Sequence, residues 1–283
     1  MNLAVTNNNS MKNFKKKVVV ITGGATGIGF GLAKRFGREG AIVRIAGLRE
    51  NRLREAVQTL EANGVTASYQ ICDVTKEADL IALEKSTRKL YGSVDILVNN
   101  AGIGGARKSI FDISQAEIMD TLNVNYFGVW NGIRVFGKQM IAAGTPCAIY
   151  TVGSENSFFN AVINAPYVSG KYAVLGLTKA LRDEAPDFMQ VGIIIPGFVH
   201  TEIGPDKFMK MGMSPDEFAD IIVPQMKAEQ FYLVGHSYNV VRIKEEFEEV
   251  KAAFDTYAPR YEGDEKYDIK ILNERVRQRR NNA

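Results

Sequence analysis

A chain of 283 residues, 46% hydrophobic and 24% charged, is long enough for one large α/β domain and has the charge content of an ordinary water-soluble protein. Its formal net charge of +3 is too small to argue for a nucleic acid or an anionic membrane as partner. Two cysteines, Cys72 and Cys147, exclude a disulfide framework and read as small buried hydrophobes of a reducing compartment.

Residues 1–14 are expected to be a disordered leader. The stretch is polar and Asn-rich, with neither the apolar centre of a secretory signal nor the Arg pattern of a transit peptide. No uncharged apolar run approaches membrane-spanning length, so a cytoplasmic location is expected. Residues 17–22 are β-branched without alternation, as in a strand buried on both faces. A glycine-rich turn follows, and residues 30–36 then carry apolar side chains at helical spacing. Residues 41–46 read as the next strand and 50–62 as the next helix, closed by Asn63-Gly64. Further strands are expected at 65–71, 94–98, 148–152 and 191–195, with helices at 76–91, 114–143 and 165–184. This alternation implies right-handed βαβ units and a doubly wound, mostly parallel, Rossmann-like α/β sheet. One domain is expected over 15–235, with a mobile substrate lid at about 204–229. Residues 236–283 read as a helical C-terminal extension, with helices at 242–257 and 264–280.

Thr22-Gly-Gly-Ala-Thr-Gly-Ile-Gly29 joins the first strand to the first helix. In that setting Gly23, Gly27 and Gly29 let the backbone approach a pyrophosphate, whose charge sits on the helix N-terminus. A glycine-rich turn alone is weak evidence, and the spacing is not G-x-G-x-x-G. It resembles the T-G-x-x-x-G-x-G signature of the short-chain dehydrogenase/reductase family. Three later segments match that family in order: Cys72-Asp-Val74, Asn99-Asn-Ala-Gly102 and Pro196-Gly-Phe-Val-His-Thr201, each after a strand. The resemblance covers about residues 15–235. It implies that Thr26 and Ile28 join the glycines at the cofactor, and that Asp73 and Val74 lie at the adenine. It also implies that Asn100, Ala101 and Gly102 line the adenosine side, and that Pro196, Gly197, Val199 and Thr201 contact the nicotinamide end.

An acid at the end of the second strand would grip the ribose 2′-hydroxyl and select NAD. The chain reads Ile45-Ala-Gly-Leu-Arg49 there, with an arginine able to pair with a 2′-phosphate. NADP(H) is therefore expected over NAD(H). Arg49 also suits a solvent-side loop cap, and the family's usual basic positions are held by Leu48 and Thr26.

Tyr167-Val-Ser-Gly-Lys171 places a phenol and an ammonium on one helical face. With 11 tyrosines in the chain, about one such pair is expected by chance, so its position after the fifth strand is what matters. A nearby cation lowers a phenol's pKa, which would make Tyr167 a general acid/base near neutral pH. The family resemblance implies that Lys171 also reaches the nicotinamide ribose and that Ser154 hydrogen-bonds the substrate oxygen. It further implies that Asn125 supports a water linking Lys171 to solvent, and no metal is expected. Taken singly, Ser154 suits a strand-end hydroxyl and Asn125 a helix-packing amide; matched in register with Tyr167, Lys171 and the glycine turn, they are expected to form one site.

The expected reaction passes hydride between NADP(H) and a small-molecule ketone or secondary alcohol. Residues 157–163 and 208–213 are apolar, and if both face the cofactor they suit a bulky or aromatic substrate; ordinary core and lid packing is the alternative. Two rival readings are an NADP-binding redox sensor without turnover and a sugar-nucleotide epimerase or dehydratase. The resemblance also implies a homodimer or homotetramer.

Overall fold

The computed structural model describes residues 11–161, 163–204, 206–271 and 274. Its strands are β1 (Val18–Thr22), β2 (Ile42–Gly47), β3 (Ala67–Ile71), β4 (Ile96–Asn99), β5 (Cys147–Val152), β6 (Met189–Ile195) and β7 (Tyr232–Val234). All pair in parallel, in the order β3-β2-β1-β4-β5-β6-β7. The helices between them are α1 (Gly27–Arg38), α2 (Glu50–Ala62), α3 (Glu77–Tyr91), α4 (Gln115–Leu122), α5 (Gly128–Ala143), α6 (Ala165–Glu184), the short α7 (Asp206–Met209) and α8 (Pro215–Lys227). A π-helical turn, Asn123–Phe127, joins α4 to α5, so the expected single helix over 114–143 is interrupted.

The strands lack polar alternation because both sheet faces are covered. On one face Val19 and Ile21 of β1, Ile96 and Val98 of β4 and Tyr150 of β5 pack with Leu32 and Phe36 of α1. Leu53 of α2 and Phe218 and Ile222 of α8 complete that layer. On the other face Val20, Leu97 and Ile149 meet Leu80 and Leu83 of α3 and Phe136 and Met140 of α5. Ile193 and Ile195 of β6 close against Val129 of α5 and Val174 of α6. The expected doubly wound sheet is what forms, and it is parallel throughout.

Two boundaries differ from expectation. Met11 and Phe14, assigned to a disordered leader, are buried, and the Phe14 ring lies 5.1 Å from Phe36. Residues 1–10 of that leader lie outside the described residues. The expected lid divides at Ser214, whose side chain accepts from the Glu217 amide and, with Pro215 at the first helical position, starts α8. Phe218, Ala219, Ile222, Val223 and Met226 recur at helical spacing and are fully buried, so α8 is core, not lid.

A second compact unit, Val240–Ala283, carries the charged helix α9 (Asn239–Tyr257) and a 3₁₀ turn, Asp264–Tyr267. Arg242 pairs with Glu245 at 2.7 Å and Lys251 with Asp255, bracing α9 along its surface. The helix expected from 264 begins at 269, and beyond residue 271 all but 274 lies outside the described residues. Among the described residues no helix is long and apolar enough to cross a membrane.

Candidate active site

The chain leaves β1 toward β2 and β3, then returns to the opposite side of β1 as β4. The loops after β1 and β4 therefore diverge, and a crevice opens at the carboxyl end of the sheet. The cleft there has a volume of about 520 Å³. Its wall runs from Leu48, Arg49 and Asp73, past Gly23 and Gly27, to Tyr167, Lys171 and Thr201.

Gly23 has φ +62°, and a Cβ there would stand 2.9 Å from the Ala101 Cα, so glycine is required on both counts. The turn is tied to the loop after β4 by Thr22 and Asn100. Thr22 Oγ1 accepts from the amides of Asn100 (3.0 Å) and Ala101 (3.1 Å). Asn100 Nδ2 donates to the carbonyls of Thr22 (2.9 Å) and Gly23 (3.0 Å). Thr26, the N-cap of α1, offers its side chain to none of the first amides of that helix. Those N–H groups remain available for the oxygens of a diphosphate, and a dinucleotide fits the cleft that they edge.

Thr26, Ile28, Val74, Gly102, Pro196, Gly197 and Val199 line the cleft. Gly29 and Asn125 do not. Gly29 packs against Asn100 and the Gly23 carbonyl. Asn125, within the π turn and fully buried, accepts from the Ile103 amide at Oδ1 and donates to the Ile103 carbonyl at Nδ2, both at 2.8 Å. Its carboxamide holds the wall of the cleft. Burial alone would raise the carboxyl of Asp73, but hydrogen bonds from Thr75 and the charge of Lys76 outweigh it and keep the group below the usual range.

The reactive groups meet at one end. Ser154 and Tyr167 line the cleft together, and the Lys171 Nζ lies 5.6 Å from the Tyr167 ring centre. Ser154 follows β5, and its Oγ accepts from the Asn156 amide at 3.1 Å. Lys171 is 5% exposed and donates to the Val152 carbonyl at 2.8 Å; burial pulls its pKa down to about 8. The expected lowering of the Tyr167 pKa by Lys171 is not found. Burial pushes the phenol up, Ser154 opposes this, and the carboxylate of Glu155 adds to the rise. The ammonium is engaged by the Val152 carbonyl.

Arg49 reaches the cleft but pairs with Glu202 at 2.6 Å, and Arg52 approaches the same carboxylate at 3.7 Å. The segments expected to form the substrate wall contribute less than anticipated. From 208–213 only Met209 lines the cleft, while Phe158 packs beside Tyr232. Val162 lies outside the described residues. His200 borders a neighbouring hollow with Pro215 and Gly204, not the cleft beside Tyr167. Cys72 and Cys147 are buried free thiols, raised by burial to about 12 and about 11.

Sequence reasoning missed Glu202, Glu155 and His236. Glu202 was legible as an acid beside Thr201; the other two come together only through folding. Ile103, Gly104, Ile203 and Val124 also line the cleft and carried no sequence signal.

The short chain dehydrogenase family model matches residues 17–211, and the chain belongs to that family of oxidoreductases. It is 33% identical over 193 residues to an A-factor type gamma-butyrolactone 1′-reductase (1S-forming) of Streptomyces virginiae, covering 68% of this chain and 75% of that protein. A C alpha-dehydrogenase of Sphingobium sp. (strain NBRC 103272 / SYK-6) is 32% identical over 198 residues, 68% of this chain and 64% of that protein. The structure is similar to an alcohol dehydrogenase from the archaeon Thermococcus sibiricus complexed with 5-hydroxy-NADP. That likeness has a TM-score of 0.72 at 28% identity, covering 79% of this chain and 97% of the other.

Proposed function

We propose that the protein is an NADP(H)-dependent reductase of ketones, and dehydrogenase of the matching secondary alcohols, with Tyr167 as general acid and base. The observation that carries this reading is the convergence of Ser154, Tyr167 and Lys171 on one cleft edged by the glycine turn, with Lys171 one turn beyond Tyr167 along α6. The nicotinamide, when bound, supplies or accepts the hydride. The residues of this chain do the rest. Ser154 donates a hydrogen bond to the substrate oxygen, and Tyr167 delivers the proton to that oxygen in reduction or removes it in oxidation. Lys171 would hold the nicotinamide ribose when the cofactor is bound, and its charge would steady the phenolate.

Ile103, Val199, Ile203 and Met209 make the substrate wall apolar, which suits a bulky or aromatic ketone. NADP(H) is assigned from Arg49 and the lack of an acid at the end of β2; Glu202 is the counter-ion that a 2′-phosphate must displace. The relatives named as a reductase and a dehydrogenase, and the neighbour complexed with 5-hydroxy-NADP, support the same chemistry. We place the enzyme in the cytoplasm as a homodimer or homotetramer. The test is nicotinamide absorbance over a panel of aryl ketones: oxidation of NADPH faster than NADH is expected. Absence of turnover with every ketone and alcohol, with NADPH still raising the melting temperature, would favour a binding protein.

A further inference from the structure

The turn after β6, Pro196-Gly197-Phe198, borders the end of the cleft that holds Ser154 and Tyr167, and its backbone is bound by two residues distant in sequence. The imidazole of His236, just beyond β7, accepts from the Gly197 amide at Nδ1 (3.1 Å), and its Nε2 faces the Phe198 carbonyl at 3.2 Å. Both contacts are satisfied by one form, a neutral ring carrying its proton on Nε2. The amide of Glu155, the residue after Ser154, donates to the Pro196 carbonyl at 2.8 Å. The Glu155 carboxylate lies beside His236 and Asn239. Packing at this point leaves no slack: a Cβ on Gly197 would stand 2.7 Å from His236 Cγ, and 3.0 Å from both Asn239 Nδ2 and Glu155 Oε2.

Three consecutive residues of the turn are thus fixed by two side-chain and backbone partners, and one of those partners is covalently continuous with Ser154. We propose that His236 and Glu155 are positioning residues for hydride transfer, locking the 196–198 turn against the Ser154 loop and so setting how the nicotinamide is presented to the substrate. The proposal rests on the reading of the site as a nicotinamide-dependent reductase. Neither residue touches the reacting atoms. The contribution of His236 and of the Glu155 amide is geometric, and a misplacement of about 1 Å at a reacting centre costs on the order of 100-fold in rate. The adenosine half of the cleft is built from β1, β2 and β4 and does not depend on His236, so binding and chemistry should separate.

The test uses the full chain with NADPH as probe. Fluorescence titration reads affinity and the emission of the bound nicotinamide; single-turnover mixing with a ketone reads hydride transfer. For His236→Ala, affinity within about threefold of wild type, altered bound-state emission and hydride transfer slower by roughly 10- to 100-fold are expected. His236→Asn, which can still accept from the Gly197 amide, should recover part of the rate and emission. His236→Ala with wild-type rate and emission overturns the proposal, and so does a loss confined to NADPH affinity. If His236→Ala does not fold, His236→Asn and His236→Gln carry the test, and wild-type rate and emission in both overturn it. If wild type reduces no ketone, the reductase reading fails by itself. The emission then decides: altered by His236→Ala and restored by His236→Asn supports the proposal, and unaltered contradicts it.

Discussion

Lys171 sits one helical turn beyond Tyr167 and donates from Nζ to the Val152 carbonyl at 2.8 Å, an ammonium buried with a neutral partner. Its pKa of about 8 in the folded chain lies below the value of roughly 10.4 expected when unfolded. The folded state therefore holds this proton at a cost that is complete below about pH 8 and disappears as the pH rises toward about 10.4. Lys171→Met removes the charge but leaves the Val152 carbonyl unpaired. Without cofactor at pH 7 it should be more stable than wild type by about 1–3 kcal/mol, while losing activity. Urea denaturation at pH 7 and 9.5 checks this: the margin should shrink at the higher pH.

Glu202 neutralises the arginine assigned to the 2′-phosphate. The pair is exposed, 56% and 47% for the two side chains, so breaking it should change stability by no more than about 1 kcal/mol. Arg49→Ala should weaken NADPH binding by roughly tenfold, as befits a lost charged hydrogen bond, and leave NADH nearly unchanged. Glu202→Gln should tighten NADPH alone. Fluorescence titrations with both nucleotides measure this, and equal changes for the two would remove Arg49 from the selectivity account.

Glu155 raises the pKa of Tyr167 by its charge, while Ser154 lowers it. Glu155→Gln should shift the rising limb of alcohol oxidation to lower pH, because the phenolate then forms more readily. Profiles of kcat against pH for wild type and variant report the direction; an unshifted profile would mean that the carboxyl is uncharged where it matters.

Phe218 is buried under β1 and β4 in the layer shared with α1. Phe218→Ala should cost about 3–5 kcal/mol, as for other buried aromatics, whereas a side chain on a mobile lid would cost almost nothing. Chemical denaturation distinguishes the two.

The sheet was legible because β-branched runs such as Val18–Thr22 and helices with clear periodicity such as Glu50–Ala62 follow local rules. The glycine turn, Ser154, Tyr167 and Lys171 were legible because their spacing is tied to element ends. β7 was not, since Tyr232–Val234 has three residues with only Leu233 buried. α8 was misread because Pro224 interrupts its interior and a Met-Gly-Met stretch precedes it, so tertiary burial outweighs local signals. His236 and Glu155 meet across 81 positions through the pairing of β6 with β7, which no local pattern announces.

Tyr167→Phe tests the central claim most directly, because it deletes the hydroxyl and nearly preserves the ring. The measurement is single-turnover hydride transfer from NADPH to a ketone, beside NADPH affinity for the same preparation. Affinity within about threefold of wild type with transfer slower by at least about 100-fold is the predicted result. Transfer at the wild-type rate would contradict the assignment of Tyr167 as the acid and base.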